Sequence, residues 1–310
     1  MALLREPLLA AARSPKLRTV AEKSRLTRPV VDRFVAGATE PDALRVTDEL
    51  IGNGLYVTLD FLGEATTSLE QAGSTVRAYE SVLAELAKAG SAERAEVSVK
   101  LSAIGQSLPG NGEKIALDGA RRICEAAAAA GTTVTVDMED HTTTDSTLGI
   151  VRELRADFPW VGAVLQAYLK RTEADCREFA TAGSRIRLCK GAYAEPESVA
   201  FQGEAVEDSY RRCLGVLLAG DGYPMVASHD PAMIAAARSL AVRNSRTPDS
   251  FEFQMLFGIR PDEQRAIAAA GHRMRVYVPY GDEWYGYFMR RLAERPANLT
   301  FFLRSLTSKK

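Results

Sequence analysis

The sequence predicts an α/β fold in which eight parallel strands close into a TIM-type (β/α)8 barrel, preceded by an N-terminal helical annex. Short apolar, β-branched segments alternate with longer helical patterns from about residue 56 onward. The alternation occurs eight times, which is the number of units in such a barrel. Glycines stand where helices should end, at Gly90, Gly131, Gly183 and Gly271. An open doubly wound sheet is the alternative, but the count favours the closed barrel.

The N-terminal region reads as a series of helices with turn or breaker signals near Ser14–Pro15, Thr27–Pro29 and Gly37–Pro41. Residues 30–36 form one amphipathic piece within it. We therefore expect residues 1–50 to form an annex that packs on a barrel domain of residues 51–310.

The barrel domain divides into strand and helix segments in regular order. The predicted strands are Tyr56–Leu62, Glu96–Ala103, Thr133–Glu139, Val161–Ala167, Arg185–Ala192, Pro224–His229, Phe251–Leu256 and Met274–Pro279. The predicted helices are Leu69–Ala89, Glu113–Ala130, Thr147–Asp157, Glu173–Ala182, Val199–Ala219, Pro231–Val242, Pro261–Ala270 and Glu283–Glu294.

The composition limits the classes of function. A formal net charge of −1 gives no overall basic field of the kind that nucleic-acid binding uses. No apolar run reaches the length of a membrane-spanning helix, and the first residues do not resemble a signal peptide. The four cysteines are scattered without a CxxC pair, which favours a reducing, cytoplasmic setting over a disulfide frame or a zinc ribbon.

Polar side chains occur near the ends of all eight predicted strands. In barrels of this kind the chemistry lies at the carboxyl ends of the strands. Buried polar groups there are costly unless they are paired, so together they indicate a cavity lined for a charged ligand. These polar residues, one from each strand segment in chain order, are Asp60, Lys100, Asp137, Gln166, Lys190, His229, Gln254 and Tyr277.

The residues leave several kinds of site open. A metal at Asp137, Glu139, Asp140 and His141 is disfavoured because successive strand residues face opposite ways. Lys100 or Lys190 could form a Schiff base, as in a barrel aldolase or lyase, and a non-catalytic ligand-binding barrel is a third reading. The glycines near residue 52 do not continue as GxGxxG, which argues against a nicotinamide cofactor in a Rossmann motif.

A C-terminal helical pattern places an arginine pair beside aromatic residues. Tyr287, Arg290, Arg291 and Glu294 fall on adjoining parts of one helical face. The two guanidinium groups could grip a carboxylate between them. The alternative is a solvated face in which Arg290 pairs with Glu294.

Seven segments in order resemble the proline dehydrogenase family in its short, monofunctional bacterial form. They are Phe61–Glu64, Val97–Ser102, Val136–Glu139, Leu165–Arg171, Arg185–Tyr193, Phe251–Leu256 and Tyr287–Glu294. The resemblance implies a distorted (β/α)8 barrel that binds FAD and oxidises L-proline to Δ1-pyrroline-5-carboxylate. It also implies that electrons pass to a membrane quinone, with peripheral contact between the protein and the inner face of the cell membrane.

The same resemblance implies roles for individual residues of this sequence. Lys100, Arg290 and Arg291 would hold the proline carboxylate, and Glu64 would pair with Arg291 as a gate. Asp137 and Arg187 would form the catalytic set, with Arg187 near flavin N5. The substrate ring would be covered by Tyr277, Tyr287 and Leu256. The FAD would be lined by Met138, Gln166, Lys190, Gly191, Ala192, Ser228 and His229.

Overall fold

Eight parallel strands form a closed barrel in a computed structural model that describes residues 31–63 and 66–288. Each strand pairs with its neighbours in chain order, and β1 and β8 close the cylinder through six paired positions from Tyr56↔Arg275 to Phe61↔Tyr280. The predicted barrel is therefore confirmed, and the open doubly wound sheet is wrong.

The elements alternate as the sequence predicts. The strands are β1 Tyr56–Phe61, β2 Ala95–Val99, β3 Val134–Val136, β4 Gly162–Gln166, β5 Arg185–Cys189, β6 Tyr223–Ala227, β7 Glu252–Leu256 and β8 Arg273–Tyr280. The helices are α1 Glu40–Gly52, α2 Leu69–Lys88, α3 Gly112–Ala130, α4 Thr144–Asp157, α5 Thr172–Phe179, α6 Ala205–Ala219, α7 Pro231–Arg243 and α8 Pro261–Ala269. Short 3-10 turns occupy Leu101–Ile104 and His141–Thr143, and residues 284–288 are helical.

Local chemistry explains where several helices begin and end. A capping box opens α1, because the Thr39 hydroxyl accepts from the Asp42 backbone and the Asp42 carboxylate accepts from the Thr39 backbone. The four predicted stop glycines all have positive φ, between 69° and 83°. Glycine alone adopts this conformation without strain. Three of these helices end within one residue of the predicted position, but α5 ends at Phe179 and not at Ala182.

Several predicted boundaries are wrong at the carboxyl ends of the strands. The second strand ends at Val99 and not at Ala103, because the chain turns into the 3-10 helix Leu101–Ile104. The third, fifth and sixth strands also stop short, at Val136, Cys189 and Ala227. In each case the residues beyond the strand form the loops above the barrel.

The predicted helix Val199–Ala219 begins only at Ala205. Ala200 instead forms an antiparallel bridge with Leu169, and the backbone N–H of Lys170 donates to Val199 at 2.9 Å. These backbone groups are engaged in pairing between two loops, so they are not available to an α-helix. Near the start of the described chain, α1 ends at Gly52, two residues beyond the expected division between annex and barrel.

The apolar core lies between the barrel and its helices, while the inside of the barrel is polar. Side chains alternate along each strand, so Val57 and Leu59 join the core outside while Thr58 bonds to Glu96 across the inside. Four cations balance four carboxylates in this interior: Lys100, Arg185, Arg187 and Arg275 against Asp60, Glu96, Asp137 and Glu252. Among the described helices, none combines the length and apolar character needed to cross a membrane.

Candidate active site

A cavity of about 820 Å³ opens at the carboxyl ends of the strands. All predicted site residues that fall within the described chain line it: Lys100, Asp137, Met138, Gln166, Arg187, Lys190, Gly191, Ala192, Ser228, His229, Leu256, Tyr277 and Tyr287. Three further predicted residues, Glu64, Arg290 and Arg291, lie outside the described residues. The barrel thus collects in one place residues that are up to 187 positions apart, from Lys100 to Tyr287.

Lys100 and Asp60 form a buried ion pair in the floor of this cavity. The Lys100 ammonium lies 2.8 and 2.7 Å from the two Asp60 oxygens and 3.7 Å from Asp137. Burial raises the pKa of Asp60, and the charge of Lys100 opposes that rise. The pair therefore holds the ammonium in a fixed position next to the space where a ligand would bind.

Asp137 is the centre of a second hydrogen-bonded group. It accepts from the Ser98 hydroxyl at 2.6 Å, from Arg187 Nη1 at 2.6 Å and from the Tyr277 hydroxyl at 2.6 Å. Burial and the neighbouring carboxylate raise the pKa of Tyr277 well above its usual value, so its phenol remains a donor. The Arg187 guanidinium also lies over the Tyr277 ring, 5.2 Å from its centroid.

The charges of these two groups cancel. Lys100 and Arg187 are the cations, and Asp60 and Asp137 are the carboxylates, with every ion-pair distance at or below 3.7 Å. A ligand carboxylate bound here would therefore meet directed donors but no surplus positive charge from these four residues. Further cations from outside the group would strengthen its binding.

Lys190 and His229 also line the cavity. Burial lowers the pKa of Lys190, but its hydrogen bonds to Asp230 at 2.8 Å and Glu207 at 3.2 Å outweigh burial and raise it. His229 Nε2 accepts from the Leu256 backbone N–H at 2.9 Å. An imidazole nitrogen can accept only when it carries no proton, so neutral His229 bears its proton on Nδ1.

Gln166 reaches the cavity from the end of β4. Its Nε2 donates to the Glu139 carbonyl at 2.7 Å, which fixes the orientation of the amide. In the part of the chain that the structure describes, its Oε1 accepts no hydrogen bond. Gln166 therefore presents an acceptor to a ligand in the cavity.

The segment between residues 190 and 193 fits closely against Tyr168. Gly191 has φ +114°, and a Cβ placed on it would lie 2.3 Å from the Tyr168 ring. The Tyr168 backbone N–H donates to the Lys190 carbonyl at 2.9 Å, and its hydroxyl donates to Glu195 at 3.2 Å. Only glycine allows this approach, so the cavity wall depends on the absence of a side chain at residue 191.

The cluster that could have suggested a metal is dispersed by the fold. Asp137 faces Arg187, while Glu139 accepts from the Ser102 hydroxyl at 2.6 Å. Asp140 accepts from the Thr142 backbone at 2.8 Å, and His141 bonds to Glu195 through its backbone and ring. Across residues 31–63 and 66–288, no three His, Cys, Asp or Glu side chains are grouped to hold a metal ion.

The cavity is also lined by residues to which the sequence assigned no role, among them Asp60, Gln254 and Arg260. Asp60 and Gln254 could be recognised in the sequence as candidates, because a polar residue at an inward position of a buried strand needs a partner. No feature of the sequence around Arg260 indicated that it would line the cavity. It adopts a left-handed conformation with φ +52° and donates to the His229 carbonyl at 2.8 Å, which ties two loops together.

The chain is similar to known proteins over most of its length. The family model described as proline dehydrogenase matches residues 43–304. "Proline dehydrogenase 1" of Bacillus subtilis (strain 168) is 39% identical over 284 residues, with 91% of this chain and 92% of that protein covered. "Proline dehydrogenase" of Deinococcus radiodurans is 38% identical over 311 residues, with 98% of each chain covered.

A solved structure shows a similar fold in a longer protein. Proline utilization A (PutA) from Bdellovibrio bacteriovorus, inactivated by N-propargylglycine, has a TM-score of 0.80 at 27% identity. The match covers 91% of this chain but 34% of that chain. The present chain thus spans about a third of the length of that solved protein.

Proposed function

The chain belongs to the proline dehydrogenase family, and from this premise we propose that it oxidises L-proline to Δ1-pyrroline-5-carboxylate with FAD as cofactor and a membrane quinone as electron acceptor. The observation that carries the proposal is the Lys100–Asp137–Arg187–Tyr277 group at the mouth of the barrel. Because the acceptor is lipid-soluble, we further propose that the protein works in the cytoplasm with peripheral contact at the inner face of the membrane.

The reaction needs an oriented substrate more than it needs a new covalent bond. The proline nitrogen loses a proton, the adjacent ring carbon loses a hydride, and a carbon–nitrogen double bond forms. FAD, when bound, accepts the hydride. Proline's strongest handle is its carboxylate, and fixing reacting atoms in contact can supply up to about 7–11 kcal/mol of a barrier.

In this proposal Lys100 binds the substrate carboxylate, together with Arg290 and Arg291 from the C-terminal part of the chain. The balanced charges around Lys100 support a need for those two arginines, since Asp60 already neutralises the ammonium. Glu64 would pair with Arg291 as a gate. Tyr277, Tyr287 and Leu256 would cover the apolar ring and exclude water.

Arg187 and Asp137 form the proposed catalytic set. Arg187 would place a positive charge beside the flavin ring, which gains electron density on reduction. Asp137 would hold the guanidinium in that position through its 2.6 Å bond to Nη1. The third partner of Asp137, Tyr277, links this pair to the substrate wall.

The residues that line the cavity fit an FAD. The cavity is far larger than a proline molecule and falls within the range of about 300–1,000 Å³ that ligand pockets occupy. Gln166 offers an acceptor to the edge of a flavin ring, while Lys190, Gly191, Ala192, Ser228, His229 and Met138 would line the rest. Lys190 offers a cation to a phosphate, although it already pairs with Asp230 and Glu207.

Gly191→Ala should impair FAD retention. The added methyl would meet the Tyr168 ring at 2.3 Å, and the left-handed backbone adds roughly 1–2 kcal/mol of strain. We expect a lower melting temperature and loss of flavin on gel filtration. Gly203→Ala is the matched control, because Gly203 has φ +57° in the same loop with nothing within 4 Å of a Cβ. Equal flavin retention in the two variants would contradict the inference that the cavity wall needs glycine at residue 191.

A Schiff-base aldolase or lyase at Lys100 or Lys190 is the alternative function. An attacking amine must lose its proton, which a lowered pKa favours. The pKa of Lys190 is instead raised by Asp230 and Glu207, and Lys100 makes a bidentate pair with a buried carboxylate. Both contacts stabilise the protonated amine and therefore oppose this chemistry.

An absorbance spectrum of the purified protein tests the proposed function. We expect flavin bands that bleach when L-proline is added without oxygen and return when a soluble quinone is supplied. A colourless protein that borohydride links to a carbonyl substrate would support the aldolase. Flavin bands that proline leaves unchanged would contradict proline oxidation while leaving the cofactor assignment intact.

A further inference from the structure

Gln254 is a buried amide between two charged side chains in the middle of β7. Its Oε1 accepts from Arg187 Nε at 2.6 Å, and its Nε2 donates to Glu252 Oε1 at 2.5 Å. The residue is 3% exposed, and Glu252 is 1% exposed. Both contacts are hydrogen bonds to charged groups, which are stronger than those between neutral groups.

The orientation of this amide is fixed by the chemistry of its partners. Arg187 Nε–H can only donate, and the Glu252 carboxylate can only accept when ionised. Glu252 is itself held by Arg275, whose Nε and Nη2 donate to its two oxygens at 2.7 and 3.2 Å. The amide oxygen must therefore face Arg187, and the amide nitrogen must face Glu252.

Arg187 is consequently held at two edges of its guanidinium. Nη1 donates to Asp137 Oδ1 at 2.6 Å and to Ser98 at 3.0 Å, while Nε donates to Gln254. A planar group bonded at two edges keeps one orientation. Without Gln254 the guanidinium would be hydrogen-bonded only through Nη1, to Asp137 and Ser98.

We propose that Gln254 is a positioning residue for the proposed hydride-transfer step, because it fixes the Arg187 guanidinium against the Asp137 side of the cavity. The proposal rests on the proposed function, because that function has Arg187 act on a bound flavin. Gln254 connects the cavity to the Glu252–Arg275 pair deeper in the barrel, which does not itself line the cavity.

The position requires an acceptor and a donor on one short side chain. Methionine has a similar shape but offers neither strong group, so Arg187 Nε would lose its partner. Ionised glutamate would accept from Arg187 but would face the Glu252 carboxylate, and the two like charges would repel. Protonated glutamate has an acceptor oxygen and an O–H donor, so it can reproduce both contacts.

Anaerobic rapid mixing of flavin-loaded protein with L-proline tests the proposal. For Gln254→Met we expect the limiting rate of flavin reduction to fall roughly 10- to 100-fold, as a small misplacement of a catalytic group does. The half-saturating proline concentration should change far less. The flavin midpoint potential, measured without substrate, should become more negative because the Arg187 charge is no longer held in place.

Gln254→Glu provides the second arm. Its reduction rate relative to wild type should rise as the pH falls, because only the protonated side chain reproduces both contacts. Gln106→Met is the control for removing a buried amide, since Gln106 bonds to Ser146 and Thr147 and does not line the cavity. This control should keep the wild-type rate and midpoint potential even where its stability falls.

Two results would overturn the proposal. One is a Gln254→Met protein with the wild-type reduction rate and midpoint potential. If that variant does not fold, the second result is a Gln254→Glu protein that reduces its flavin at the wild-type rate at every pH. That result would also overturn the proposal. Failure of the proposed function is distinguishable, because wild-type flavin would then not bleach with proline at all.

Discussion

Arg187→Met is expected to reduce the rate of flavin reduction by proline about 100- to 1,000-fold, the usual loss when one preorganised electrostatic group is removed. The reason is that Arg187 is the cation that Asp137 and Gln254 fix in the cavity, at 2.6 Å each. Proline binding should weaken much less, because the proposed carboxylate contact comes from Lys100. Rapid-mixing measurements over a range of proline concentrations separate the two quantities.

Two further variants separate the charge of Arg187 from its shape. Arg187→Lys keeps a positive charge but cannot bond Asp137 and Gln254 through a rigid fork, so we expect an intermediate rate. Arg185→Met is the matched control, since Arg185 lies two residues earlier on β5 and pairs with Glu96 instead of lining the cavity. If Arg185→Met slowed reduction as much as Arg187→Met, the loss would reflect the barrel interior in general.

Lys100→Met is expected to raise the Michaelis constant for proline roughly 10- to 100-fold, which corresponds to the loss of a charge-assisted hydrogen bond of about 1.5–3 kcal/mol. The variant also leaves Asp60 buried without its cation. The main cause that lowers the pKa of Asp60, the charge of Lys100, disappears, while burial still raises it. Steady-state kinetics and thermal unfolding should therefore both change.

The pH dependence of that destabilisation has a definite sign. A carboxyl whose pKa is raised in the folded protein favours folding when protonated, and this advantage is lost as the pH rises through the folded pKa. Lys100→Met should therefore melt closer to wild type in acid than at neutral pH. Adding Asp60→Asn should remove that pH dependence without restoring proline affinity. Recovered affinity in the double variant would show that Lys100 acts only through stability.

Much of the site follows from the sequence because barrel geometry is simple. Once eight strand-then-helix units are recognised, the carboxyl ends of the strands must meet on one face. Lys100, Asp137, Gln166 and Tyr277 could therefore be assigned to one cavity from their strand positions, and the structure places them there. The resemblance to a family supplied their chemical roles, which strand periodicity by itself does not contain.

The lengths of the strands could not be read from the same pattern. Leu101, Ala103 and Ile104 continue an alternating apolar pattern beyond β2, yet residues 101–104 form a 3-10 turn after Val99 and Lys100. Strand pairing ends where neighbouring strands end, and β3 offers only three residues to pair with β2 and β4. Tertiary context therefore overrides local propensity at these ends.

The sequence by itself determined the closed barrel and its polar rim, since these depend on periodicity along the chain, and the family resemblance supplied the candidate residues. Only the tertiary structure decided which charges pair. Asp60 pairs with Lys100, which is 40 residues away in the sequence, and Gln254 bonds to Arg187, which is 67 residues away. Such partners are chosen by strand register and by distances of a few ångströms across the barrel, and neither quantity is encoded in the order of residues within any one segment.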